Sequence, residues 1–134
     1  MADAQAPIKR PLSPHLQVYR LTLSMVMSGM HRITGLSLCA GLIMVTWWLL
    51  ATAAGRNAHD TFTAFASSWI GLLILFGFSW ALLHHLLGGL RYLVWDLGYW
   101  LENDEREWLV RANIIGSIAL TVLLWAILVL SGMR

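Results

Sequence analysis

The sequence has 134 residues, of which 58% are hydrophobic and only 12% are charged. Soluble domains carry about 25% charged residues, and a chain this short cannot hide so much apolar surface in a water-soluble core. The formal net charge of +2 reflects membrane topology rather than nucleic-acid binding. A single cysteine, Cys39, excludes an internal disulfide and a thiolate metal cluster.

Three apolar stretches are long enough to cross a bilayer, whose hydrocarbon core of about 30 Å needs about 20 helical residues. They cover residues 33–55, 61–90 and 112–133, and a histidine pair interrupts the second. Strands are excluded because the stretches lack period-two alternation and an open sheet would leave backbone groups unpaired in lipid. The sequence predicts an all-α integral membrane protein with three transmembrane helices in a bundle.

The first 30 residues contain charges and prolines but no apolar core of a cleaved signal peptide, so we expect them in the mature protein. The apolar stretch 21–30 is too short to span and predicts a short interfacial helix. Residues 1–30 are therefore expected to form an N-terminal arm with this helix, and residues 31–134 a three-span transmembrane domain.

Basic residues predict the orientation of the spans. Four precede the first span, one lies in the first loop and three lie in the second: Lys9, Arg10, Arg20 and Arg32; Arg56; Arg91, Arg106 and Arg111. Cytoplasmic loops carry the excess of Lys and Arg. The N-terminus and the second loop are therefore expected in the cytoplasm.

The histidine pair, His84 and His85, is the main polar feature within the spans. Polar residues at membrane depth are costly and often functional, and a neutral imidazole is a usual axial ligand of haem iron. His85 shares a helical face with Gly88 and Gly89, which leave room beside its ring. Alternatively, both histidines bond to a neighbouring helix and the glycines serve close helix packing. The residues alone leave both interpretations open.

The number of histidines limits what a haem site could be. His85 lies about 9 Å inside the boundary marked by Arg91, at 1.5 Å rise per residue. The other two predicted spans contain no histidine. A six-coordinate haem would thus need its second ligand from another subunit, and two haems within this chain are excluded.

The start of the first span offers further polar groups, Ser28, His31 and Arg32. A cation at a membrane boundary suits carboxylates, including haem propionates, which arginine can bind through two hydrogen bonds. Ser28 and Arg32 lie one turn apart and could bind a carbonyl oxygen together. Alternatively, Arg32 anchors a helix end among the lipid headgroups, and Ser28 is an ordinary interfacial residue.

Three stretches taken together resemble the cytochrome b556 family of succinate dehydrogenase membrane subunits. They appear in the family's order and their combination is specific: Arg10-Pro11-Leu12-Ser13-Pro14-His15-Leu16-Gln17-Val18-Tyr19-Arg20, then Ser28-Gly29-Met30-His31-Arg32-Ile33-Thr34-Gly35, then His85-x-x-x-Gly89-x-Arg91-Tyr92-Leu93-Val94-Trp95-Asp96. The resemblance covers nearly the whole chain. One departure is Tyr92, where many relatives carry a second histidine.

The resemblance implies a membrane anchor subunit in which His85 is the axial ligand of a haem b iron. A second anchor subunit would supply the other ligand, and His31 and Arg32 would lie near the haem propionates. Ser28 and Arg32 match quinone-binding positions. Asp96 and, more loosely, Glu102 match carboxylates that deliver protons to the quinone.

The resemblance also implies partners that carry the remaining redox groups. A flavoprotein subunit with FAD would oxidise succinate, and an iron-sulfur subunit would pass electrons to quinone at the cytoplasmic face of a bacterial inner membrane. The chain alone would not oxidise succinate. Two alternatives remain: the anchor of a fumarate reductase, and a small assembly or transport protein without a cofactor, whose histidines act as polar glue.

Overall fold

The computed structural model describes residues 20–132, so most of the N-terminal arm, including the first motif up to Tyr19, lies outside the described residues. The described residues form four helices: α1 (Leu23–Ala54), α2 (Arg56–Ala66), α3 (Trp69–Asp96) and α4 (Asn103–Leu130). Three of them, α1, α3 and α4, are long and apolar enough to cross a membrane. They pack as a bundle in which α3 contacts both α1 and α4, which confirms the all-α class.

The predicted short interfacial helix is wrong, because α1 runs without a break for 32 residues from Leu23 to Ala54. No proline follows Pro14 in the sequence, and Gly29 is the only glycine between Leu21 and Gly35. Nothing therefore interrupts helical hydrogen bonding where the interfacial segment meets the span. At 1.5 Å per residue α1 is about 48 Å long, and it ends at Gly55, whose φ of 105° favours glycine.

The connection after α1 contains an additional helix. Residues 61–66, which the sequence assigned to the second span, belong to α2 instead. The exposed face of α2 carries an ion pair in which Nε of Arg56 lies 3.9 Å from Oδ2 of Asp60. Its inner side places Phe62 and Phe65 against Trp47 of α1, with ring centroids 5.1 and 5.2 Å apart. This amphipathic character explains why α2 is a separate helix at the end of the bundle.

The sequence places its second loop at residues 92–111, between the second and third predicted spans, but the connection between α3 and α4 is shorter. Both helices extend into that loop, so only residues 97–102 remain outside them. The turn uses Gly98 and Trp100, both with positive φ. Asp104 and Glu105 lie in the first turn of α4, where negative charge is stabilised by the helix dipole.

The interior of the bundle is lined by small and polar side chains, while most large aliphatic side chains face outward. Such an arrangement is typical of helices that pack inside a bilayer, where lipid is as apolar as leucine. The buried face of α3, called here the interior stripe, consists of Ala81, His84, Gly88 and Arg91. The buried polar face of α4, called here the polar stripe, consists of Asn113, Ser117 and Thr121.

Candidate functional site

The two histidines of α3 point in different directions, because consecutive helical residues are about 100° apart. His84 belongs to the interior stripe and is only 2% exposed. Its Nδ1 lies 3.1 Å from the Ser117 hydroxyl of α4, while its Nε2 is buried and has no partner among the described residues. His85 is half-buried and faces α1.

His85 has hydrogen-bond contacts with α1 through one ring nitrogen. Its Nδ1 lies 3.1 Å from the backbone oxygen of His31 and 3.3 Å from the hydroxyl of Thr34. Its Nε2 has no hydrogen bond to a described residue and is not among the buried unpaired atoms. A Cβ added to Gly35 would lie 3.0 Å from Cε1 of His85, so the imidazole rests directly on the α1 backbone. The second nitrogen is thus the free one.

His31 packs against the face of the His85 ring. The two rings are stacked, with centroids 3.9 Å apart and planes 6° apart, and Tyr92 meets His31 edge-on at 5.1 Å. A Cβ on Gly88 would come within 2.5 Å of Nδ1 of His31. Gly88 therefore makes room for His31, whereas the sequence predicted that it would leave room beside His85.

The residues expected at a quinone lie on α1, close to this cluster. Ser28 is half-buried and Arg32 is exposed, one helical turn apart. Ser28, His31, Arg32 and Gly35 share one helical face, at offsets of three, four and seven residues. The structure therefore places Ser28 and Arg32 on the α1 face that also contacts His85.

The two candidate proton carriers lie at the same end of the bundle. Asp96 is the last residue of α3, and Glu102 immediately precedes α4. Both are exposed, and they flank the connection of residues 97–102. The structure brings them to one edge of the bundle, on the side where α3 ends, where water can reach both carboxylates.

The sequence predicted no site role for Arg91, but its side chain is 3% exposed. Its Nε and Nη1 are buried and have no partner among residues 20–132. The guanidinium carbon lies 5.1 Å from the Tyr92 ring centroid and 5.0 Å from that of Trp95. The sequence signal for this burial was the spacing of Arg91. It follows His84 by seven residues and Gly88 by three, which places it on the interior stripe.

The polar stripe of α4 was also missed. Ser117 contacts His84, and Nδ2 of Asn113 donates to the backbone oxygen of His84 at 3.3 Å. The available signal was the four-residue spacing of Asn113, Ser117 and Thr121 within an apolar span, which places all three on one face. The stripe ties α4 to the His84 side of α3.

A family model described as the succinate dehydrogenase/fumarate reductase transmembrane subunit matches residues 6–128. The chain belongs to this family. It is 49% identical over 123 residues to a succinate dehydrogenase cytochrome b556 subunit of Paracoccus denitrificans, which covers 92% of this chain and 94% of that relative. Membership of the family and three long apolar helices together identify a multi-pass membrane protein.

More distant relatives carry related names. The cytochrome b556 subunit of Rickettsia felis (strain ATCC VR-1525 / URRWXCal2) is 36% identical over 87% of this chain and 91% of its own length. The mitochondrial cytochrome b560 subunit of Sus scrofa is 38% identical over 85% of this chain and 66% of its own length. These relatives are subunits of succinate dehydrogenase, an oxidoreductase complex, which confirms the family resemblance of the three motifs.

Proposed function

We propose that this chain is a membrane anchor subunit of succinate dehydrogenase that binds one haem b through Nε2 of His85. The observation that carries this proposal is the state of the His85 ring: Nδ1 lies 3.1 Å from a backbone oxygen, and Nε2 is free. Histidines that bind a metal usually donate their other N–H to a carbonyl or carboxylate in this way. The cytochrome names of the relatives support the same cofactor.

The surroundings of His85 fit a haem. His31 covers the flat face of the imidazole, whereas a metal bond forms at the ring edge, so the stack does not block Nε2. Arg91 follows His85 by six residues, about 9 Å along the helix, and its buried guanidinium lacks an anionic partner among the described residues. Positive groups at this distance suit haem carboxylates, for which we also assign His31 and Arg32.

One haem in this position needs a second protein ligand. His84 is turned toward α4 and His31 lies against the face of the His85 ring, so neither would serve as a second ligand of a haem held by His85. We assign the second axial ligand to a second anchor subunit. When bound, haem b supplies a one-electron carrier within the membrane.

Ser28 and Arg32 are the proposed quinone-binding residues. A quinone accepts two electrons, which the iron-sulfur subunit delivers, and two protons to become a quinol. The Ser28 hydroxyl can donate a hydrogen bond to a quinone carbonyl oxygen. The Arg32 guanidinium can stabilise the negative charge that develops on that oxygen as electrons arrive. Both lie near the end of the bundle where electrons and protons would enter.

Asp96 and Glu102 are the proposed proton donors to this site. Their exposure lets them exchange protons with water, and replacing Asp96 by Asn removes a titratable group without changing side-chain size. We expect the Asp96→Asn variant to have a lower kcat for quinone reduction and an unchanged KM for quinone. A raised KM with an unchanged kcat would instead make Asp96 a binding residue.

The complex that follows contains a second anchor subunit, an iron-sulfur subunit and a flavoprotein subunit with FAD. Residues 1–30 would face the cytoplasm next to the iron-sulfur subunit, and residues 31–134 would form the haem-binding anchor in a bacterial inner membrane. Succinate oxidation is the direction we propose, because the relatives are named as succinate dehydrogenase subunits. The fumarate reductase alternative shares the same family model.

The test is purification of the tagged chain from its native membranes. We expect a flavoprotein, an iron-sulfur protein and a second small membrane protein to copurify, with a reduced-minus-oxidised spectrum of a b-type haem. Succinate should reduce quinone in this preparation. A preparation without haem and without these subunits would contradict the proposal and favour a cofactor-free membrane protein.

A further inference from the structure

We infer that Thr34 is a positioning residue for His85: its hydroxyl and the backbone oxygen of His31 hold the proton on Nδ1 and leave the lone pair of Nε2 for the iron. This inference rests on the proposed haem site. It adds a residue on α1 that acts through His85 without touching the haem.

The Thr34 hydroxyl is fixed in orientation. Thr34 is 1% exposed, and its Oγ1 lies 3.0 Å from the backbone oxygens of Met30 and His31. Backbone oxygens only accept hydrogen bonds, so the single hydroxyl proton is donated back to the α1 backbone. The lone pairs of Oγ1 are what remain for other groups, and Nδ1 of His85 lies 3.3 Å away.

Both neighbours of Nδ1 are therefore acceptors. The His31 backbone oxygen, at 3.1 Å, has no proton to give, and the Thr34 hydroxyl has already donated its own. Two acceptors facing one ring nitrogen require that this nitrogen carries the proton. In a neutral imidazole the other nitrogen, Nε2, then carries the lone pair, which is the form that binds iron.

Gly35 allows the His85 ring to approach the α1 backbone closely. Its missing side chain lets Cε1 of His85 lie 3.0 Å from the position a Cβ would occupy. The ring thus lies close enough to α1 for both hydrogen bonds to form. Thr34 supplies an acceptor for the Nδ1 proton, and Gly35 supplies the space for the approach.

His84 provides an internal control with the same kind of contact. Its Nδ1 lies 3.1 Å from Oγ of Ser117, and that hydroxyl in turn lies 2.9 Å from the backbone oxygen of Ile114. However, Nε2 of His84 is enclosed by protein, so no macrocycle can reach it. A hydroxyl deletion on α1 and one on α4 therefore affect different histidines.

The experiment compares Thr34→Val, Thr34→Ser and Ser117→Ala in the purified full complex. The readouts are the rate at which haem transfers to apomyoglobin and the low-spin haem EPR signal. Loss of such a supporting hydrogen bond typically weakens metal binding about ten- to a hundredfold. We expect Thr34→Val to speed haem loss by about this factor and to shift the EPR signal, Thr34→Ser to restore both, and Ser117→Ala to change neither.

Wild-type haem transfer and EPR in Thr34→Val would overturn the inference while leaving His85 as the ligand. A changed haem in Ser117→Ala alone would instead make His84 the ligand and refute the proposed site itself. If Thr34→Val prevents assembly, Thr34→Ala removes the same hydroxyl without adding bulk, and is expected to show the same faster haem loss. Unaltered haem in Thr34→Ala would equally overturn the inference.

Discussion

His84 and His85 have the same side chain and are neighbours on the same helix, at nearly the same depth, yet their surroundings differ. His84 fits between α3 and α4 with both ring nitrogens buried, one of them unpaired. His85 packs against α1, where its Nδ1 is hydrogen-bonded to the backbone oxygen of His31 and its Nε2 is free. We therefore propose opposite roles for the two, a structural residue for His84 and a metal ligand for His85, and the difference comes from the helix each ring faces, which the residue type does not reveal.

Replacing each histidine by alanine is the strongest test of this comparison. We expect His85→Ala to abolish the b-type haem spectrum, because the substitution removes the proposed iron ligand. His84→Ala should retain the haem and only weaken packing against α4. Reduced-minus-oxidised spectra and haem content of the purified complexes measure both. Loss of haem in the His84 variant alone would reverse the two roles.

Changes on the α1 side should also separate quinone chemistry from succinate oxidation. Loss of a charge-assisted hydrogen bond costs about 1.5–3 kcal/mol, so Ser28→Ala and Arg32→Leu should lower quinone reduction roughly ten- to a hundredfold. Reduction of a soluble artificial acceptor should stay unchanged at equal complex content. Ser117→Ala, on the α4 side, is the control and should leave both rates intact. A parallel fall in both rates would instead indicate poor assembly.

Two adjacent glycines give a smaller and purely steric contrast. A Cβ on Gly88 would lie 2.5 Å from Nδ1 of His31, whereas a Cβ on Gly89 would meet no atom within 4 Å. Gly88→Ala should therefore destabilise the complex by about 1–3 kcal/mol through overpacking. Gly89→Ala should be neutral or slightly stabilising, since glycine weakens a helix by roughly 0.5–1 kcal/mol relative to alanine. Thermal unfolding of the two complexes measures the difference, and equal midpoints would argue against the His31–Gly88 contact.

The smallest effect is expected from Asn113→Leu on α4. The substitution removes the hydrogen bond from Nδ2 to the backbone oxygen of His84, a neutral bond that contributes about 1 kcal/mol. It also removes an oxygen, Oδ1, that is buried without a partner in the described chain, which offsets part of the loss. Thermal stability should change by less than about 1 kcal/mol, and the haem spectrum should not change. A spectral shift would place the haem on the α4 side.

The sequence was sufficient to predict the three spanning helices, because these depend on long apolar composition. Long apolar stretches predicted three spanning helices, and the structure has α1, α3 and α4 in those places. Their ends were less predictable, because helix continuation across residues 30–33 and across residues 91–96 depends on the absence of a breaker rather than on apolar length. The amphipathic helix α2 was missed because the sequence assigned residues 56–60 to the first loop and residues 61–66 to the second span, which divided one helix between two predicted elements.

The candidate site was predictable only in its residue types. His85, Ser28 and Arg32 were proposed from their membrane depth, their spacing and the resemblance to a family. The contact of His31 with Gly88 and the burial of Arg91 were not predicted, because both depend on how α1 and α4 rotate against α3. Helix rotation is set by packing between helices that are distant in sequence, which one chain's periodicity does not specify.

The unbroken helix α1 also has a mechanical consequence. Ser28 and Thr34 are six residues apart on it, about 9 Å along the axis, and no turn between them can absorb a displacement. A protein that pushed on the N-terminal end of α1 would therefore move the proposed quinone-binding residue Ser28 and the hydrogen-bond acceptors of His85 together. Because His85 itself belongs to α3, we expect any sliding of α1 to stretch the bond at Nδ1. The basicity of the proposed iron ligand would then respond to a load applied several helical turns away.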